Sequence, residues 1–584
     1  MKNVFAIGLI LLMLGASAAA QTAAAAKSDK RAGTISGRLT DTAGQPIPHA
    51  VIYVTGASSQ RRESRNTSTD EQGRFRITDL ARGVYNVFPV APSYVTAEEE
   101  TRRRTYRAGD TADFTLTKGG VITGTVMTHA NEPMTGCSVQ AIRVRDKDGH
   151  AVPLIRPSGL AMTDDRGVYR IYGLLSGTYV VFASGKRPFT NEPNVYENDL
   201  PTYYPSSTRD MAQTVTVQAS EEVSGIAIHY RGERGHAISG KIAGVPTDGA
   251  NAGFALELYN VASRAMEAQS FAGGNYPGSS GDGYAFYGVA DGDYLVTATT
   301  NSFSGQFRGT GRAYVKVRGA DVTGTDITPA AYGAIAGTLA VEPLRNAEGQ
   351  SKCEIKRLMP DEMLLEARAE KKAAEFNPSA PVARQESPSD KGAFAFANLE
   401  AGQYRVLPMM LGEDYFVRSI TLPAPAKNQP PIDAARSPLT IKAGERLSEL
   451  AVTVAEGAAA LRGRVVPATE GARLPDRLRL HLVPAEKEAA DELLRYYEAE
   501  LRGDSFELKN LAPGRYFVIV RRAADDDTSA DNSRPVAWDA AARKRLRQRA
   551  ETANVTLELR PCQQVTDYAL KYQPAAKKTE GNPQ

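Results

Sequence analysis

His129-Ala130-Asn131-Glu132 has the His-x-x-Glu spacing with which zinc carboxypeptidases hold their metal, and His229 or His236 would be the third ligand. A zinc site needs such groups on a rigid element, with an open coordination position and hydrogen bonds behind the ligands. Here the motif falls in the turn after a short strand, where an earlier copy of the same pattern reads Thr42-Ala43-Gly44-Gln45. A hairpin turn accounts for it better, and six scattered histidines offer little else to a metal. Asp70-Glu71-Gln72-Gly73 and Asp164-Asp165-Arg166-Gly167 suggest calcium, but they lack the alternating oxygen ligands and distal Glu of a calcium loop. Asp and Gly before a strand are ordinary turn chemistry. The glycines of residues 305–311 lack the Gly-Lys-Ser/Thr of a phosphate loop, and no Gly-x-Ser-x-Gly elbow occurs. The expectation is no catalytic residue, no metal and no cofactor.

Binding is better served. Residues 186–210 present Phe189, Tyr196, Tyr203 and Tyr204 among Asn and Pro. Aromatic rings beside amides suit stacking on sugar rings or gripping an extended peptide, and these four are the candidate ligand-binding residues. The alternative is that Tyr203-Tyr204-Pro205 pins a long loop to its own domain.

The elements that must position such a loop announce themselves by repetition. Phe75-x-Ile77-x-x-Leu80-x-x-Gly83-x-Tyr85-x-Val87 returns at Tyr169/Tyr179, Tyr284/Tyr294, Phe394/Tyr404 and Phe506/Tyr516, with the Tyr recurring at intervals of 94, 115, 110 and 112 residues. Aromatic-x-aliphatic has the period of two that sends both side chains to one face of a strand, and Tyr-x-Val does the same on the next. The Gly between them reverses the chain. The Tyr after the turn has the look of a tyrosine corner, its ring packed and its hydroxyl on backbone. Each copy is preceded by a short Gly-centred strand: Ile35-Ser36-Gly37, Ile122-Thr123-Gly124, Ile238-Ser239-Gly240, Ile335-Ala336-Gly337 and Leu461-Arg462-Gly463. The pattern predicts an all-β chain of five tandem Ig-like/transthyretin-like β-sandwich modules.

Residues 33–41 (GTISGRLTD), then Gly44-Gln45-Pro46-Ile47-Pro48, Asp70-x-x-Gly73-x-Phe75 and Gly83-x-Tyr85, resemble the carboxypeptidase regulatory-like domain. The match is strongest in the first two copies. The resemblance implies a transthyretin-like sandwich classed with carbohydrate-binding-like folds, in multi-copy exported proteins of Acidobacteria type. It does not imply peptidase activity.

The expected layout is a signal peptide over residues 1–20, a linker over 21–32, and modules over 33–119, 120–234, 235–332, 333–458 and 459–563. A disordered tail follows at 564–584. Helical insertions are expected in the first half of 360–389 in module 4, and at 485–501 and 537–551 in module 5. Lys2, the apolar run 4–14 and Ala18-Ala19-Ala20 form an export signal cut after Ala20, which predicts a secreted, periplasmic or cell-surface protein with no membrane insertion afterwards. With 70 basic and 67 acidic groups the chain carries +3, which gives no reason to expect a nucleic-acid partner. Cys137, Cys353 and Cys562 allow one disulfide at most. The functional expectation is a non-enzymatic structural, adhesive or interaction scaffold of the cell envelope, with a polysaccharide or envelope protein as partner. The alternatives are a carbohydrate-binding protein and a regulator of an exported enzyme.

Overall fold

The structure, a computed structural model, describes residues 33–58, 63–96, 105–152, 158–185, 196–244, 253–273, 281–300, 308–344, 353–370, 383–410, 412–424, 428–469, 471–475, 477–523 and 535–572. The expected signal segment and linker lie outside these residues. The fold is all-β, with one α-helix among the described residues and a separate buried core around each copy of the signature.

Module 1 shows the common plan. One sheet runs Arg74–Leu80, Gly33–Asp41, Phe114–Lys118, Tyr94–Thr96, and the other Ser64–Ser68, Val51–Gly56, Val84–Val90, Thr105–Arg107. Alternation puts Ile35, Leu39, Phe75 and Ile77 on one inner face and Ile52, Val54, Tyr85 and Val87 on the other, all at most 5% exposed. The first strand pairs antiparallel with the signature strand (Gly37 opposite Phe75) and parallel with the last (Leu39 opposite Phe114).

The Gly of each first strand has a steric cause. A Cβ on Gly37, Gly124, Gly240, Gly337 or Gly463 would sit 1.8–2.0 Å from the carbonyl oxygen of Ala112, Ile226, Thr325, Leu450 or Tyr568. Only a residue without a side chain lets the closing segment come that near. Opposite each of these glycines stands the aromatic that opens the signature: Phe75, Tyr169, Tyr284, Phe394 and Phe506.

The tyrosine corner is present in all five modules. Each Tyr hydroxyl donates to the carbonyl four residues upstream: Tyr85 to Ala81 (2.7 Å), Tyr179 to Leu175 (2.6 Å), Tyr294 to Ala290 (3.0 Å), Tyr404 to Glu400 (2.9 Å) and Tyr516 to Ala512 (2.6 Å). The rings are at most 6% exposed.

Three expectations need correction. In module 4 the expected helix is a single 3-10 turn, Pro360–Glu362, followed by the strand Leu364–Ala369. In module 5, residues 485–501 hold a short 3-10 turn, Leu493–Arg495, and the strand Tyr497–Arg502. Both strands have helix-forming residues, and pairing against Gly402–Met410 and Arg477–Pro484 overrides that preference. The tail does not begin at 564: Gln564–Tyr572 is the last strand of module 5, parallel to Ala459–Pro467, with Leu570 2% exposed in the core. The remaining helix candidate does form, as Ala540–Ala553, capped by Asp539 accepting from Ala542 N at 2.7 Å. It lays Leu546 and Ala550 against Val483.

Candidate functional site

The described tyrosines of the aromatic loop pack on their own module. Tyr203 is 6% exposed and its ring packs, tilted by 32°, against Phe182 at 5.1 Å, within the sheet that contains Gly177–Ser184. Tyr196 meets Tyr230 edge-on at 5.8 Å, and Tyr196 and Tyr204 are half-buried against the second core. Phe189 lies outside the described residues. All three of these tyrosines pack against their own module.

The other flagged residues lie in turns. Thr128 N donates to Glu132 O at 2.8 Å, so His129 and Glu132 belong to an exposed hairpin turn. Asp70 Oδ1 accepts from the backbone of Gln72 and Arg74, and Asp164 Oδ1 from Arg166 and Val168. Asp146, Asp148 and His150 stand close enough to share an ion, but Asp146 Oδ1 takes the backbone N–H of Asp148 and His150 in the same kind of turn. Burial pushes the Cys137 thiol up to about 12, the environment of an inert core thiol.

The chemistry that departs from a plain sandwich lies where modules meet. Just before the last apolar residue of the signature strand (Leu80, Leu174, Val289, Leu399 and Leu511), one residue adopts a left-handed conformation: Asp79, Gly173, Gly288, Asn398 and Asn510, with φ from 58° to 71°. Each interrupts the pairing register, as a bulge does. In modules 2, 3 and 5 the bulge lies against the preceding module. A Cβ on Gly119 would lie 2.7 Å from Gly173, and one on Gly288 would lie 2.4 Å from Asp199 O. Asn510 Nδ2 donates to Gly412 O (2.6 Å) and Tyr415 O (2.7 Å) of module 4. Sequence reading missed these residues, although Asp, Gly and Asn are the types that tolerate this conformation.

Charged pairs reinforce the junctions. Arg209 meets Glu267 at 3.0 Å between modules 2 and 3, and Arg312 meets Glu400 at 3.6 Å between 3 and 4. Between modules 4 and 5, Lys509 meets Glu413 at 2.6 Å, Arg405 lies 4.8 Å over the Trp538 ring, and Cys353 is bonded to Cys562.

Among the described residues, a group of contacts also joins modules that are not neighbours in sequence. Arg82 Nε, in the signature turn of module 1, donates to both oxygens of Asp361 in module 4 at 3.0 and 3.1 Å. Asp361 is 7% exposed. Beside it Arg107 Nε donates to Glu362 O at 2.8 Å, and the Ser58 hydroxyl donates to the Glu386 carboxylate. Burial holds Arg107 below the usual guanidinium range, against the opposing pull of Asp110 and Glu362. A hydrogen bond to a charged partner contributes about 1.5–3 kcal/mol, and a carboxylate left buried without one costs more. The arrangement therefore holds module 1 against module 4.

The carboxypeptidase regulatory-like domain family matches residues 34–117, which is module 1. No curated protein matches the chain. Among solved structures, a streptococcal ancillary pilin is 13% identical over 33% of this chain and 63% of its own, with a TM-score of 0.18. The minor pilin GBS52 of Streptococcus agalactiae is 12% identical over 34% of this chain and 95% of its own, with a TM-score of 0.18. The Bacillus anthracis TIE protein is 12% identical over 70% of this chain and 69% of its own, with a TM-score of 0.13. Likeness of this extent says nothing about what the chain binds.

Proposed function

We propose that this chain is an exported, non-catalytic scaffold of the cell envelope whose sandwich modules are locked into a fixed arrangement. The observation that carries the reading is the Arg82–Asp361 pair, because it ties module 1 to module 4 across 279 residues of chain. A flexible string of modules has no use for a buried carboxylate answered by an arginine from so far away. The junction bulges and the Cys353–Cys562 bond support the same reading, since each restricts how one module turns on the next.

The surroundings of the corner tyrosines also favour a structural role over catalysis. Burial pushes Tyr294, Tyr404 and Tyr516 upward, and each spends its hydroxyl on a backbone carbonyl. Export rests on the segment Met1–Ala20 of the sequence. No helix among the described residues is long and apolar enough to cross a membrane.

The test is a distance. Nitroxides on Asn66→Cys and Asp390→Cys, both exposed positions, would report the separation of modules 1 and 4 in the oxidised protein. A locked scaffold gives one narrow distribution that Arg82→Ala broadens. A broad distribution in the parent overturns the reading.

A further inference from the structure

The outer face of one sheet of module 1 carries a charge arrangement that folding does not call for. On the antiparallel pair Gly33–Asp41 and Arg74–Leu80, Arg38 stands directly opposite Arg74, and Ser36 opposite Arg76. Like charges directly opposite on a sheet face are destabilising. Arg74 and Arg76 are exposed, and no hydrogen bond or ion pair with the described residues engages either guanidinium. Arg38 Nε donates to Gln72 O at 3.0 Å. The neighbouring carboxylates serve the backbone: Asp70 Oδ1 accepts from Gln72 N and Arg74 N, and Asp113 Oδ1 from Arg38 N at 2.8 Å.

The other modules act as internal controls. Module 5 also has an Arg on this face, but Arg462 lies opposite Glu507 and pairs with it at 2.6 Å. In module 2, Arg170 lies opposite Thr123 and meets Glu222 at 3.1 Å. Modules 3 and 4 place Lys241 opposite Gly283 and Thr338 opposite Ala393. Of these five faces, only that of module 1 sets two arginines against each other.

The three guanidiniums open onto a cleft of about 890 Å³ that also shows the hydroxyls of Ser36, Ser68 and Thr111. Its aromatic, Phe75, is 4% exposed and belongs to the core, so an occupant meets three guanidiniums, the hydroxyls, and the carboxylates of Asp70 and Asp113, whose Oδ1 atoms are engaged by backbone N–H groups. A guanidinium fork fits a carboxylate through two parallel hydrogen bonds, and hydroxyls both donate to and accept from sugar hydroxyls. A peptide adding as a strand is disfavoured because the free edge of Arg74–Leu80 is partly occupied, at Arg74 and Thr78. Arg74 N–H is held by Asp70 Oδ1, its carbonyl takes Asp70 N–H at 2.9 Å, and Thr78 O accepts from Arg65 Nη1 at 3.4 Å. The docking on module 4 leaves this cleft clear, because it uses Ser58, Arg82 and Arg107.

From this geometry we infer that the cleft of module 1 binds an acidic polysaccharide, with uronate carboxylates gripped by Arg38, Arg74 and Arg76 and sugar hydroxyls by the Ser and Thr groups. The inference stands whether or not module 1 docks on module 4. The experiment is calorimetric titration of the mature full-length protein with polygalacturonate, neutral dextran and poly-glutamate, repeated with Arg74→Gln/Arg76→Gln. Binding to polygalacturonate and not to dextran is expected, weakened about tenfold or more in the double variant and by added salt. The thermal midpoint of the variant should stay level or rise, since it removes a like-charge pair. If the double variant fails to fold, Arg76→Gln alone gives the reading. No binding to polygalacturonate, unchanged binding in the variant, or equal binding to poly-glutamate would each overturn the proposal.

Discussion

The tyrosine corner of module 5 can be tested with a probe the chain already carries. Tyr516 is 0% exposed, donates to Ala512 O at 2.6 Å, and accepts from Arg495 Nε at 3.3 Å. Tyr516→Phe keeps the ring and removes both hydrogen bonds, which should cost about 1–2 kcal/mol. Tyr516→Ala also removes the packed ring and should cost about 3–5 kcal/mol. Trp538, the only tryptophan, lies in module 5 under Arg405, so its fluorescence follows this module and its junction. In urea, with a slope of about 1–2 kcal/mol per molar for a unit of this size, the Phe variant should lose about 1 M in midpoint. The Ala variant should lose about 2–3 M, or be unfolded in buffer. An Ala variant within about 0.5 kcal/mol of the parent would mean that the ring does not pack the core, and would refute the strand facing inferred for all five copies.

Gly337→Ala would place a Cβ 2.0 Å from Leu450 O and should destabilise module 4 by about 3 kcal/mol, whereas Gly44→Ala meets no neighbouring atom and bears only the strain of its φ of 76°; calorimetric midpoints compare them. Reducing Cys353–Cys562 opens a link across 209 residues, which in the chain-entropy picture is worth about 5 kcal/mol. Dithiothreitol should therefore lower the Trp538 transition, and an unchanged midpoint would deny the bond a structural role. Intact-mass measurement of exported protein should place the mature N-terminus at Gln21. A retained Met1 would remove the basis for export.

The sandwich architecture was legible because its causes are local. Period-two alternation and Gly at a turn act within a few residues, so Phe75-x-Ile77 and Tyr85-x-Val87 declare strands without knowledge of their partners. The last strand of module 5 escaped because a bulge at Asp567, with φ of 58°, breaks the alternation of Val565 and Tyr568. Residues 364–369 and 497–502 were misread because Leu, Glu and Ala favour helix locally and only their pairing partners decide otherwise. The arginine cleft depends on register, since Arg38 and Arg74 become neighbours only once Gly37 is set opposite Phe75. The contact of Arg82 with Asp361 leaves no pattern in sequence at all, being two single charges joined by the path of the chain.

The central claim is that module 1 returns to module 4, and small-angle X-ray scattering of the mature, oxidised protein tests it most directly. Modules of about a hundred residues have a radius of gyration of about 13 Å each, so five strung end to end would give about 50 Å, whereas an arrangement closed between modules 1 and 4 gives about 30 Å. The account predicts the smaller value, with a rise when Arg82→Ala and Arg107→Ala are combined. A parent value near 50 Å, or a double variant indistinguishable from the parent, would contradict it.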